Sequence, residues 1–256
     1  MPLFKKNIFG QYIFVKRWII RTIGWITYLR FKFLYKQDIQ GAEIFKELRD
    51  KNVLIVSNHQ TYFADVSYFL IVIHSALNNR PNKLSSLGPF NPKKHNIYYI
   101  AAEETMKSGF LPKLLALSGA VTVQRSWRAN GENVRRKVSK KDTENIDKAL
   151  QDGWVITFPQ GTTSPYAQGR VGTSIMIKNH KPIVVPIVID GFRRSFDKKG
   201  LKTKKRKSTL KIRVKDPLDI NYEDTVENIL KQVMEAIEQS PEHDFMETVN
   251  KKEAVE

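Results

Sequence analysis

The stretch NVLIVSNHQTYFAD, residues 52–65, carries the decision about fold. Residues 52–57 are almost wholly aliphatic, with none of the polar alternation of a strand that has one wet face. That is the pattern of a strand buried on both sides. At Asn58-His59 the chain turns polar, and an Asp follows the His six positions on. A doubly covered strand belongs to a layered α/β domain, and in such sheets sites gather just beyond the strand ends.

The same grammar repeats on either side. Residues 41–50 read as a short helix and 66–77 as an apolar helix. Residues 96–102 (NIYYIAA) form a second strand, 111–117 a short helix, and 119–124 (GAVTVQ) a third strand. Ser139 opens a helix with Asp142 in its first turn and Ile146, Ala149 and Leu150 inside, and Gly153 stops it. Residues 154–158 (WVITF) run into Pro159-Gln160-Gly161, and 182–189 (PIVVPIVI) make a fifth, central strand ending at Asp190-Gly191. Residues 209–214 alternate Leu210, Ile212 and Val214 inward, and Asn221 or Asp224 caps a last helix with an apolar stripe at Val226, Ile229, Leu230, Val233 and Ile237. The expected fold class is α/β: a single layered domain with a mostly parallel or mixed central sheet flanked by helices. Residues 39–241 form that domain, preceded by a basic apolar helical segment at 1–38 and followed by a polar tail at 242–256.

Charge is localised. Of a formal net charge of +17, residues 1–36 contribute eight Lys or Arg and no acid, and residues 193–215 twelve against a single acid, Asp197. The rest of the chain is close to neutral, so the charge marks two contact surfaces. In the first, the cations alternate with Trp18, Trp25, Ile19, Ile20 and other large apolar residues. Basic side chains around a Trp-rich apolar surface suit a membrane interface; a core helix with a few exposed charges is the competing reading. The longest uncharged run, residues 22–29, is far short of the roughly 20 residues a spanning helix needs. With no cysteine, the chain has no disulfide framework, thiol nucleophile or cysteine metal site. The other His residues, His74, His95, His180 and His243, fall in no ligand-like spacing, so no metal is expected.

Three loops leave strands with chemically useful groups. In SNHQTYFAD, His59 offers a base and Asp65 a carboxylate to fix its tautomer. In GAVTVQRSWR, Arg125 and Arg128 can hold a phosphate or carboxylate. In TFPQGTTSP, a tight turn rich in backbone donors and hydroxyls can hold an anion or oxyanion. Each loop alone also has an ordinary reading: a satisfied turn His, a salt-bridging Arg, a plain strand-to-loop turn. No Ser or Cys elbow accompanies the His, which favours direct transfer to a substrate hydroxyl.

Taken together, and in this order, the loops resemble the blocks of the glycerolipid acyltransferase family, whose best-known members acylate lysophosphatidic acid. Asn58-His59 with Asp65 correspond to its first block, residues 119–125 to its second, 158–164 to its third, and 184–189 around Pro186 to its fourth. The resemblance covers roughly residues 50–192. It implies an O-acyltransferase in membrane lipid biosynthesis, with His59 and Asp65 catalytic and Asn58, Arg125, Arg128, Gln160, Gly161, Thr162 and Thr163 binding substrate. It further implies a lysolipid acceptor, acyl-CoA or acyl-carrier protein as co-substrate with no other cofactor, and a place on the cytoplasmic face of the membrane, peripheral or monotopic. Three departures stand out: the His-to-Asp spacing is one residue longer than the family's, Gln160 replaces its Glu, and Thr163 replaces its Arg. The first requires one residue to be absorbed in the turn; the other two bear on the acceptor. Two rivals remain at this point, a catalytically inactive lipid-binding protein of the same fold and a basic nucleic-acid-binding protein using residues 202–215. The second lacks a recognition helix or aromatic platform, so no nucleic-acid partner is expected.

Overall fold

The computed structural model describes residues 5–124, 128–129, 132–133 and 139–244. Its elements begin with α1 (Ile13–Leu34), β1 (Lys36–Gln40), a 3₁₀ turn (Ala42–Lys46), β2 (Val53–Ser57), α2 (Ala64–Leu77), α3 (Leu87–Phe90), β3 (Ile97–Ala102), α4 (Glu103–Lys107) and α5 (Phe110–Ala116). They continue with β4 (Ala120–Val123), β5 (Arg128–Ala129), β6 (Glu132–Asn133), α6 (Lys140–Asp152), β7 (Trp154–Thr157), α7 (Val171–His180), β8 (Ile183–Asp190), α8 (Phe192–Ser195), β9 (Thr209–Val214), α9 (Val226–Ala236) and a closing 3₁₀ turn (Pro241–His243).

Seven strands form one mixed sheet in the order β1-β9-β8-β2-β7-β3-β4. All neighbours are parallel except β8 and β9, so β9 and β1 run against the other five. β5 and β6 pair separately as a short antiparallel ribbon. The opening stretch sits at the centre. β2 lies between β8 and β7, and all five of its residues are buried. Its side chains divide between two cores, Val53 and Ile55 on the face of α1 and α2, Leu54 and Val56 on the face of α6, α7 and α9. β7 repeats the division, with Trp154 and Ile156 on the first face and Val155 on the second. The unbroken aliphatic runs are therefore two alternating patterns, each answered by a layer of helices.

The sequence expectations and the structure differ at several elements. The short helix expected over residues 41–50 is a 3₁₀ turn, Ala42–Lys46. The cap of α9 is Thr225, whose hydroxyl accepts Asn228 N–H at 3.2 Å. Asn221 and Asp224 instead accept Glu223 N–H and Thr225 N–H, building the turn before it. Strand β1, KQDIQ, buries only Ile39 and carries too few apolar residues to announce itself, as suits an edge strand. It spans Asp38, so the expected domain boundary falls inside a strand. Helix α7, VGTSIMIKNH, has no clear apolar stripe to announce it in the sequence.

Helix α1 packs on the domain. Phe31 at 1% exposure and Tyr35 join the first core. Its cations are divided too. Lys16 is buried, with Nζ donating to Ile97 O at 2.8 Å and lying over the Tyr98 ring. Burial brings its ammonium down to about 7. Arg30 caps the Phe196 ring and donates to Gly200 O. Several apolar side chains face out all the same: Phe33 at 77%, Ile26 at 66%, Trp18 at 48%.

Candidate active site

The five residues between His59 and Asp65 form a loop wound around one carboxylate. Asp65 is fully buried at the start of α2. Its Oδ2 accepts from His59 Nδ1 at 2.9 Å, Gln60 N–H at 2.6 Å and Thr61 N–H at 2.9 Å, and its Oδ1 accepts the Thr61 hydroxyl at 2.6 Å. The additional residue is absorbed in this turn and the dyad closes. A buried carboxylate accepting four donors is held in place and well compensated. His59 is stacked on Phe158, centroids 3.9 Å apart, which fixes the ring plane while Asp65 fixes its rotation.

The loop is braced from outside by the 197–202 turn. Tyr62 N–H donates to Lys198 O and Phe63 N–H to Lys199 O, each at 3.1 Å. Gly200 has φ +79° and approaches so closely that a Cβ would lie 2.6 Å from Ala64 N. Part of the basic 193–215 segment thus supports the dyad. Sequence reading treated that segment only as a charged surface.

The remaining expected residues separate into two groups. Gly161 and Thr162 line the same cavity as His59. Asn58, Gln160 and Thr163 are buried and act as clamps. Asn58 exchanges both of its amide bonds with the backbone of Ile189, tying the loop to the end of β8. Gln160 donates to Ala167 O and Gln239 Oε1. Thr163 O accepts from Arg193 Nη2, and Arg193 N–H donates to Gln60 Oε1. Arg193, a cation beside both loops, escaped the motif reading because it lies past the fourth block. Gly161 N–H is taken by Phe158 O at 2.9 Å, which removes one of the expected donors. Arg125 lies outside the described residues, and Arg128 is described only as backbone in β5.

His59 stands in a cavity of about 520 Å³ that crosses the carboxyl ends of β7, β3 and β4 and has two arms. One arm runs under α1, α2 and α3, between Ile20, Ile23, Leu70, Ile71 and Met106, as far as His74 and Pro89. The other runs between α6 and α7. A mainly apolar cavity with an imidazole in its lining is suited to a molecule with a hydrocarbon tail and a polar centre.

The model of the family described as Acyltransferase matches residues 36–190, more than half of the chain. The chain belongs to the Acyltransferase family. The matched region starts with β1 and closes with β8, so it takes in the dyad loop, the Gly161–Thr162 turn and the Asn58 clamp on β8. Among solved structures, the 1-acyl-sn-glycerophosphate (LPA) acyltransferase PlsC from Thermotoga maritima is similar, with a TM-score of 0.57 and 18% identity over 87% of this chain and 78% of that one. At that identity the likeness is one of fold. No curated protein matches significantly. The acyltransferase fold here extends past the family region at both ends: α1 roofs the apolar arm, and the 197–202 turn supports the loop that carries His59.

Proposed function

We propose that this acyltransferase moves a fatty acyl group from a thioester donor, acyl-CoA or acyl-carrier protein, to the hydroxyl of a lysolipid. The observation that carries the reading is the 2.9 Å bond between His59 Nδ1 and Asp65 on a ring lining a large, mainly apolar cavity. With Nδ1 committed to the carboxylate, Nε2 is the nitrogen left to take a proton from the acceptor hydroxyl. The oxygen attacks the thioester carbon, the C–S bond breaks, and the imidazolium returns its proton to the leaving thiolate. Products are an ester and a free thiol, with no acyl-enzyme. The buried Asp65 carboxylate stabilises the transient imidazolium.

The setting is a membrane surface on its cytoplasmic side. Exposed Trp18, Ile26 and Phe33 of α1 and Phe110 at 83% on α5 give apolar contact, and Lys and Arg beside them suit anionic headgroups. No helix among the described residues is long and apolar enough to cross a membrane, so the reading is of docking on one leaflet.

The test is acyl transfer in mixed micelles, from both donors, to lysophosphatidic acid and a panel of other hydroxylated lysolipids. Wild type is expected to form product with at least one acceptor. His59→Ala should lose two orders of magnitude or more in kcat. Equal silence of both proteins over the whole panel, with lipid binding intact, would mean a lipid-binding relic of the fold.

A further inference from the structure

Acyl transfer from a carrier thioester needs three things to meet at one carbonyl: the hydrocarbon tail, the acceptor hydroxyl, and the carrier's phosphopantetheine arm. The lining of the cavity divides between the two faces of the sheet, giving it two arms past His59 whose linings differ. The arm under α1–α3 is walled by aliphatic side chains, which suits a hydrocarbon tail. The arm between α6 and α7 mixes Thr143, Asn179 and His180 with Ile146 and Ile175. It lies on the opposite face of the sheet. The His180–Asp147 bond, 2.7 Å, joins the two helices.

We propose that the α6–α7 arm holds the phosphopantetheine arm of the donor. This deepens the acyltransferase reading and rests on it. A thioester bent at His59 has its tail directed one way and its carrier arm the other, and these are the two directions the cavity provides. From Val171 to His180, α7 rises about 14 Å at 1.5 Å per residue. A pantetheine unit has two amides and an alcohol-bearing segment, roughly four residues' worth of extended chain, and so a reach of roughly 14 Å. Its amides and hydroxyl need partners, supplied by Thr143 and Asn179; its dimethyl carbon needs apolar cover, supplied by Ile146 and Ile175. Asp142 and Asp147 in the same wall disfavour an anionic headgroup deep in this arm. The pantetheine unit is neutral until its terminal phosphate, which would emerge by the His180 end, where exposed Lys148 neighbours the His180–Asp147 pair in sequence, while Lys181 is held by Glu223 Oε1 at 2.7 Å.

The test uses three thioesters of one fatty acid: acyl-CoA, acyl-carrier protein, and acyl-N-acetylcysteamine, which keeps the thioester and first amide but lacks the rest of the arm. Ile175→Trp adds bulk at a position 44% exposed, and Asn179→Ala removes an amide partner. For Ile175→Trp, kcat/KM with acyl-CoA and with acyl-carrier protein should fall at least tenfold relative to kcat/KM with the truncated thioester; for Asn179→Ala the same ratio should fall severalfold. A misfolded variant loses all three together, and the Asn179→Ala ratio then decides. An unchanged ratio overturns the proposal. So does a rise in acceptor KM in place of donor KM, which would make this the acceptor arm, or a loss confined to the carrier protein, which would mean contact with that protein's surface. Wild type silent with all three thioesters would instead sink the acyltransferase reading itself.

Discussion

At the scale of single residues, the buried polar groups divide into those with partners and those without. Asp65 has four donors; His74, further along the same helix α2, has none. It is 1% exposed at the floor of the apolar arm, and neither ring nitrogen has a hydrogen-bond partner. Burial first, then the positive charge of Lys16 and other cations, lowers its pKa from 6.5 to about 3. The folded protein therefore holds His74 neutral where the unfolded chain would protonate it. Below pH 6.5 the unfolded state binds the additional proton, and stability falls as pH drops towards 3, by about 1.4 kcal/mol per unit. Urea unfolding of wild type and His74→Leu at pH 7.5 and 5.0 should show wild type losing about 2 kcal/mol more than the variant across that interval. Equal losses would mean that the imidazole is solvated in the folded state. The two histidines also show what single residues disclose. His59 was legible because its strand, its Asn and its Asp surround it in sequence. His74 stands in an apolar helix with no polar neighbour but Ser75, and its burial comes with the packing of α1 and α3 on that helix.

At the scale of elements, the five strands flanking the site, β2, β3, β4, β7 and β8, were legible because each is a short apolar run, and in β2, β7 and β8 a polar or turn-forming stretch follows it. The elements that escaped, β1 and α7, have their burial fixed by partners far off in sequence: β1 pairs with β9, and α7 packs against α9. The support of the dyad loop escaped for the same reason. The 197–202 turn comes some 140 residues after His59, and its role lies in two backbone carbonyls, which carry no side-chain signature. Its consequence is testable. Gly200→Ala places a Cβ against Ala64 N and Thr61 Oγ1 on a backbone with φ +79°. Strain of about 1–3 kcal/mol is expected, and either the turn or the dyad loop must shift. A fall in kcat of tenfold or more, with lipid binding retained and a lowered Tm, would show that the turn positions the base. A lowered Tm with unchanged kcat would confine the turn to stability.

At the scale of the molecule, the proposed membrane docking would draw on the strong positive charge and the exposed apolar side chains in the same encounter. Long-range attraction to an anionic leaflet falls away within a Debye length, about 10 Å at 0.1 M salt. Apolar insertion is insensitive to salt over the same range and grows with buried area. If membrane docking uses both, partition into vesicles should weaken with salt but level off above zero. Vesicles of phosphatidylglycerol and phosphatidylcholine, sedimented with the protein between 0.05 and about 0.5 M salt, separate the two contributions. Wild type is expected to bind anionic vesicles at least tenfold better than neutral ones at low salt. Phe33→Asp with Phe110→Asp, both at positions more than three-quarters exposed, should remove the salt-resistant remainder and leave the fold intact. A double variant that binds as wild type does at high salt would mean that these side chains face water in the working state. The cations of α1 would then serve its docking onto the domain, as Lys16 and Arg30 already do.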